Sequence, residues 1–531
     1  MNRIMCSIVC LLGLLPAILR ADPVAVSVDF DTTYQTIDGF GAYGAKCPFW
    51  SACSEFSTPE FVDLVVNELG VSMLRMEISH DFEPVNDNDD PARADLSAFR
   101  SRTSAVGFGD QVVAYLRAVN EAMSRNGDTL KVICTIWSPP HWMKVNNDCC
   151  GTDNATNVLK DGMEEELAEF MAVFCRVFRE RVGIDLYGIS MQNEPEFAQP
   201  FGSCYYSPTR YLEVFRIVGR RFEQDGINTR LFGPEHVKTF QRMARYAGPI
   251  VNDPEAKGYL DVLATHGYEL DGVTPGSPSV QDWQRSTSLA QAFKGVLWQT
   301  ETGGGPTWPE AFELGQRIHQ ALRYGRISAW MHWSLSSRES TQPNQHHLIN
   351  NLDRVSTVLH QGYVTAAFAR HIRPGAVQVG SSSGNDSLVQ IVAFVHPADR
   401  TLSVVLLNQS EATQSAALSG DGIPATFERF LTSESEANSR QGTVSASSVP
   451  LPARSITTLV ADDFGAPIGL GSMRRPVPGR RGVVRPGGGS RVYGLDGTVL
   501  PGRSAGGPAR VVVVSQETKG RTANLSVQGV R

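Results

Sequence analysis

Between residues 36 and 333 the chain alternates short apolar runs with longer stretches in which apolar residues recur every three or four positions. The short runs lie at 36–41, 72–78, 130–137, 185–191, 231–234, 262–266, 295–300 and 327–333. Near-continuous apolar runs of that length, bounded by Gly, Pro or Asn, suit strands buried on both faces. The longer stretches, at 59–69, 111–125, 162–182, 209–224 and 309–323, carry the helical period. Parallel neighbours need a crossover of about a dozen residues or more, usually a helix, and most gaps here are that long. Eight such strands predict an α/β fold, a (β/α)8 TIM barrel over 35–374. An open doubly wound sheet is the alternative, and the lack of a Gly-rich phosphate loop after the first run counts against it.

After a helix ending near His371 the period changes. Runs at 388–396, 401–407, 426–431 and 455–460 are joined by Gly, Ser and Asn turns with no helical stretch between them, so 375–463 is expected to form an appended antiparallel β-sandwich. An isolated alternating strand within 22–34 is expected to join it. The remaining 464–531 opens as a Pro-, Gly- and Arg-rich linker and ends in weak strand-like runs that resemble a C-terminal sorting or anchoring module.

Charge sharpens this division. The net charge is -7, yet from Phe464 onward 11 Lys and Arg face 2 Asp and Glu, a basic tail on an acidic body. An acidic body gives no reason to expect a nucleic-acid partner. At the other end Arg3, an apolar run from Ile4 to Ile18 and the small residue Ala21 read as a secretory signal over 1–21, so the protein is expected to be secreted or held at the cell surface. Seven cysteines then remain. Cys134 and Cys175 fall in a predicted strand and helix and should be buried thiols, whereas the loop cysteines are the disulfide candidates of an exported protein.

Two strand ends carry chemistry. Glu194 closes one run and is followed by Pro195, and Glu301 closes another and is followed by Gly303, Gly304 and Gly305. A chain breaker directly after the acid leaves it at the C-terminal end of its strand, where barrel catalytic groups collect. Two carboxylates facing each other across such a mouth are the minimal equipment for hydrolysing a glycosidic bond.

Several motifs occur in order: Ile37-Asp-Gly-Phe-Gly41, Leu74-Arg75, Thr135-Ile-Trp137-Ser-Pro-Pro-His-Trp142, Gln192-Asn193-Glu194-Pro195, His266-Gly-Tyr268, Glu301 and Trp330-Met-His-Trp333. In these the chain, over 22–463, resembles glycoside hydrolase family 30, which includes glucosylceramidases, β-1,6-glucanases and xylanases. The resemblance implies a retaining mechanism with Glu194 as acid/base and Glu301 as nucleophile. It also implies that Arg75 holds Glu301, that Asn193 bonds the sugar 2-hydroxyl, that Trp137 and Trp333 wall the sugar, and that His266 and Tyr268, at the end of the sixth strand, belong to the substrate site, with Tyr268 placed to hydrogen-bond the nucleophile. By the same resemblance Asp81 would grip outer hydroxyls of a terminal glucose. His141, Trp142 and His332 stand between cleft and core. Glucuronoxylanases of the family carry arginines just past the eighth strand, where this chain reads Ser334-Leu-Ser-Ser337 and then Arg338. The expected partner is a carbohydrate, with the tail a candidate contact for the cell surface or the secretion machinery, and no cofactor is expected. Calcium ligation by the acidic stretch Asp87-Asn-Asp-Asp90 is conceivable, but its spacing fits no full loop motif, so no metal is expected. Xylan, β-1,6-glucan and glucosylceramide-type substrates stay open, as does the rival class of a non-hydrolytic carbohydrate-binding barrel.

Overall fold

A computed structural model of the chain describes residues 22–44, 58–99, 109–240, 243–269, 274–337, 346–352 and 355–465. The expected signal, Cys47, Cys53, Arg338 and everything after 465 lie outside the described residues. Eight parallel strands close into a barrel: β1 (Gly39–Tyr43), β2 (Met73–Ile78), β3 (Lys131–Ile136), β4 (Gly188–Ser190), β5 (Arg230–His236), β6 (Leu260–His266), β7 (Leu297–Glu301) and β8 (Ala329–His332). The ring shuts where Gly39 pairs with Ala329 and Ala42 with His332.

Side-chain alternation explains both the core and the site. In β2, Leu74, Met76 and Ile78 point outward into the large core shared with the helices, while Met73 joins Ile133, Phe232, Val262, Ala264, Trp298, Ala329 and Met331 in the barrel lumen. The same period of two carries Arg75 and Glu77 up the lumen row from Met73, and Thr135 up from Ile133. Polar residues thus occupy the C-terminal mouth above an apolar plug. The opposite end is closed by buried Asp38, which accepts from Tyr187 Oη at 2.6 Å and Trp298 Nε1 at 3.0 Å and faces Arg230 at 3.5 Å.

The five expected helices form as Pro59–Asp63 with a π turn at Leu64–Glu68, Asp110–Arg125, Glu164–Val182, Pro208–Asp225 and Trp308–Arg323. Helices Met243–Asn252, Ala256–Tyr259 and Val280–Gln291 fall where the pattern predicts none. The run at 36–41 is not one strand. Thr36 ends a long strand, Val24–Thr36, in another sheet, and β1 starts only at Gly39, because Asp38 turns inward with its N–H on the Ser328 carbonyl.

That other sheet is a nine-stranded ladder. Its order is Ser439–Ser445, Thr426–Thr432, Ser455–Ala461, Thr401–Asn408, Val389–His396, Val377–Ser383, Val24–Thr36, Gln414–Ser419 and Val449–Leu451. Pairing is antiparallel except between Val24–Thr36 and Gln414–Ser419. Alternate residues of one strand serve two cores. Val392 and Phe394 pack with the barrel helices, while Ile391, Ala393 and Val395 pack with Val26, Val28 and Phe30 in the β domain's own core.

Two expectations are corrected here. Phe464 belongs to the β domain, not to the linker: it is buried, its ring lies 5.1 Å from that of Phe30, and its N–H donates to the Arg400 carbonyl at 2.7 Å. Among the described residues the loop cysteines are free thiols, like buried Cys134 and Cys175. Cys204 is packed in the core, and the sulfurs of Cys149 and Cys150 stand 3.2 Å apart, far beyond a bond of about 2 Å.

Candidate active site

Arg75, rising from β2, organises the mouth. Its Nη1 donates to Glu301 Oε2 at 2.5 Å, and its Nη2 donates to Asn193 Oδ1 at 2.7 Å and faces Glu235 Oε1 at 3.1 Å. Glu194 and Glu301 come from the ends of β4 and β7, and His266 from the end of β6 bridges toward both. Its Nδ1 is 3.0 Å from Glu194 Oε1, and its Nε2 is 3.9 Å from Glu301 Oε2 and from Glu235 Oε1. An oxygen of Glu194, an oxygen of Glu301 and a ring nitrogen of His266 all lie within 4.8 Å of one another.

Backbone geometry fixes two of these acids. Glu194 and Glu235 both adopt the left-handed region, φ 46° and 53°, which a non-glycine residue holds only when its surroundings demand it. The N–H of Glu194 donates to the Glu235 carbonyl at 3.1 Å and that of Asn193 to the Ile136 carbonyl at 2.7 Å, so neighbouring strands supply the demand.

The electrostatics divide the carboxylates. Burial pushes Glu194 above its ordinary range, and Glu301 adds to this, while His266 and Arg75 pull the other way. Burial also opposes the charge of Glu235, but Arg75, His266 and the Thr135 hydroxyl at 2.9 Å outweigh it and hold the group down at about 2. His266 is raised to about 9: burial disfavours its charge, and Glu301, Glu194 and Glu235 more than compensate. Cationic Arg75 and His266 therefore stand against Glu301 and Glu235, and burial favours the protonated form of Glu194 beside them. The Glu194, His266 and Glu301 atoms are close enough to ligate a metal, but two cations already fill that role.

Aromatic rings form one wall. Trp333 stacks on Tyr43 with ring centres 4.3 Å apart, Trp137 lies 5.5 Å from Tyr43, and the Arg75 guanidinium sits 4.4 Å over the Trp137 ring. Tyr268 is buried with its hydroxyl on Glu301, which, after burial itself, raises it well above its usual range. Asp81 stands apart from this cluster on a short turn, His80–Phe82, with its side chain 31% exposed and His80 at 3.7 Å. Trp142 donates to the Glu83 carbonyl at 3.0 Å. Buried His332 donates from Nε2 to the His346 carbonyl and is lowered to about 3 by burial, so it supports the wall as a neutral ring.

Sequence reasoning passed over Glu235, Tyr43 and Glu77. Glu235, like the two acids that were singled out, closes an apolar run, Leu231-Phe-Gly-Pro234, but its breaker precedes it where theirs follow.

Comparison with known proteins gives a consistent picture. Residues 375–459 match the model of the glycosyl hydrolase family 30 β-sandwich domain. The chain is 27% identical to glucuronoxylanase XynC of Bacillus subtilis (strain 168), over 84% of this chain and 93% of that protein. It is 23% identical to the endo-1,6-β-D-glucanase of Neurospora crassa, over 71% of this chain and 79% of that one. The crystal structure of Xyn30A, a family 30 subfamily 8 xylanase from Clostridium acetobutylicum, superposes with a TM-score of 0.64 at 22% identity, covering 82% of this chain and 99% of that one, a likeness of fold.

Proposed function

Starting from a chain that belongs to glycoside hydrolase family 30 and is a glycoside hydrolase, we propose that it retains anomeric configuration through a double displacement carried by Glu194 and Glu301. The observation that carries this reading is the close approach of the two acids, with oxygens within 4.8 Å. Retaining pairs stand about 5 to 5.5 Å apart, whereas inverting pairs need roughly 6.5 to 9.5 Å to admit a water. In the first step Glu194 gives its proton to the glycosidic oxygen, the bond from that oxygen to the anomeric carbon breaks, and a Glu301 oxygen bonds to that carbon. In the second, a water passes a proton to Glu194 as its oxygen attacks the anomeric carbon, and Glu301 leaves as carboxylate. Forming the ester removes the Glu301 charge that raises Glu194, while His266 and Arg75 stay, so Glu194 becomes the acid of step one and the base of step two.

Asn193 spends its carbonyl oxygen on Arg75, which leaves its amide N–H2 for the sugar 2-hydroxyl. Tyr43, Trp137 and Trp333 supply an apolar wall for the C–H faces of the ring. The substrate class is a β-linked polysaccharide, xylan or β-1,6-glucan, with a glucosylceramidase-like exo action as the second reading. Residues 1–21 direct export, and the basic tail meets a surface outside the cell. Proton NMR of the first-formed sugar, with xylan and β-1,6-glucan as substrates, tests the central step. A β product is expected, and an α product would overturn the double displacement.

A further inference from the structure

A second group of acids lies away from the cleft, where the loop after β2 crosses the helix Glu164–Val182. Carboxylate oxygens of Asp87, Glu166 and Glu169 lie within 4.8 Å of one another. Glu166 and Glu169 are three residues apart and so project from the same side of their helix, and both are turned inward. Glu169 is 1% exposed, and among the described residues neither of its oxygens meets a hydrogen-bond donor. Asp87 Oδ1, Glu166 Oε2 and the nearby loop oxygen Asn86 Oδ1 are likewise buried and without donors. Glu83, also buried, adds a fourth carboxylate and accepts the Asp87 N–H at 3.3 Å.

So many buried oxygens need either protons or a positive charge. Arg221 is near enough to act on Glu169, but its guanidinium is engaged by Asp225 at 2.6 Å and by the Pro91 carbonyl. Unpaired buried carboxylates are costly, and all-oxygen clusters of this kind suit a hard cation that tolerates mono- and bidentate carboxylates. We propose that Asp87, Glu166 and Glu169 bind one calcium ion, with Asn86 and Glu83 at its margin. Sequence spacing fails to suggest it because the ligands come from two elements some 80 residues apart, not from one loop.

The ion would pin the loop to the helix. That loop carries Asp81 at its start, and its Glu83 carbonyl holds the Trp142 indole at 3.0 Å. Calcium would therefore order the rim of the cleft without touching substrate, whatever the cleft hydrolyses.

The test uses the full-length protein stripped with EDTA. Calcium chloride titrated in a calorimeter should show one site per chain, and should raise the melting temperature by about 3 °C at a hundredfold excess over the dissociation constant. Sodium chloride at matched ionic strength should not. Asp87→Asn, on a half-buried loop where it cannot disrupt the barrel, and Glu169→Gln should each abolish the calcium response. Indifference of the wild-type protein to calcium would overturn the proposal. So would an undiminished response in both variants, or stabilisation of the stripped protein by acid alone with no heat of calcium binding, which would mean that shared protons hold the cluster.

Discussion

Nδ1 of His266 lies 3.0 Å from Oε1 of Glu194, so the strand end that supplies the proposed acid/base is tied directly to a buried imidazolium. His266 is raised from its ordinary 6.5 to about 9, and a group raised in the folded state contributes stability fully below its unfolded value and loses it as pH rises through the folded one. Glu235, depressed from 4.5 to about 2, contributes above 4.5 and loses its share as pH falls through 2. These two groups therefore set a stability plateau between pH 4.5 and 6.5. Urea unfolding measured from pH 5 to 9 should show a decline on the order of 3 kcal/mol toward the alkaline end. His266→Gln should flatten it, and an unchanged slope in that variant would remove His266 as its source.

The two proposed catalytic acids should fail differently. Glu301→Gln is expected to abolish turnover of every substrate. Glu194→Ala should keep the first step for aryl glycosides whose leaving group needs no proton, and added azide should then yield a β-glycosyl azide. An α-linked azide would falsify the assignment of roles.

Glu235 is fully buried against Arg75, Thr135 and His266. Glu235→Gln should cost roughly 3 kcal/mol of stability, because a buried ion pair loses one partner. Its kinetic signature should be a lower kcat with nearly unchanged KM, since Arg75 would lose one of the carboxylates that position it against Glu301. A variant that raised KM alone would point instead to direct substrate contact.

Asp81 sits on the rim, partly open to solvent. If it reads the outer hydroxyls of a glucosyl unit, Asp81→Ala should lower kcat/KM on glucosides about tenfold or more and leave xylosides nearly untouched, because xylose lacks the hydroxymethyl group. Equal losses on the two sugars would leave no reason to favour glucosyl substrates.

The tail divides at Phe464. Truncation after Gly465 should leave activity on soluble substrate and melting temperature unchanged, and change only where the enzyme is retained. Truncation after Asp463 removes a buried ring from Phe30 and should cost about 2 kcal/mol, read as a lower urea midpoint. Identical midpoints would show that the Phe30 contact contributes nothing.

The eight barrel strands were legible because each is a short apolar run that must be covered on both faces. What escaped reading did so for local reasons. Pro234 looks like a strand end, yet β5 continues to His236 because its pairing with β6 shifts register at that point, which hides Glu235. Gly248 and Pro249 mask the helix Met243–Asn252. The strands Gln414–Ser419 and Ser439–Ser445 are rich in Ser, Gln and Gly and look like turns. They become strands through neighbours distant in sequence, which a local pattern does not record. The proposed acids, by contrast, are each followed by a breaker and declare themselves.

The strand Val24–Thr36 has a further consequence, for the order of events during synthesis. Its partners are Val377–Ser383 and Gln414–Ser419, so it emerges before both and must wait for more than three hundred residues before its edges are covered. At about 5 to 20 residues per second that wait is roughly 20 to 70 s. Nascent chains stalled before 370 should be cut by protease within Val24–Thr36, and chains stalled well past 465 should resist. Equal protection at both lengths would rule the delay out. The β domain is thus a clasp that snaps shut only after the barrel between its strands has been made, and until then both edges of its leading strand are open to a chaperone or to another nascent chain.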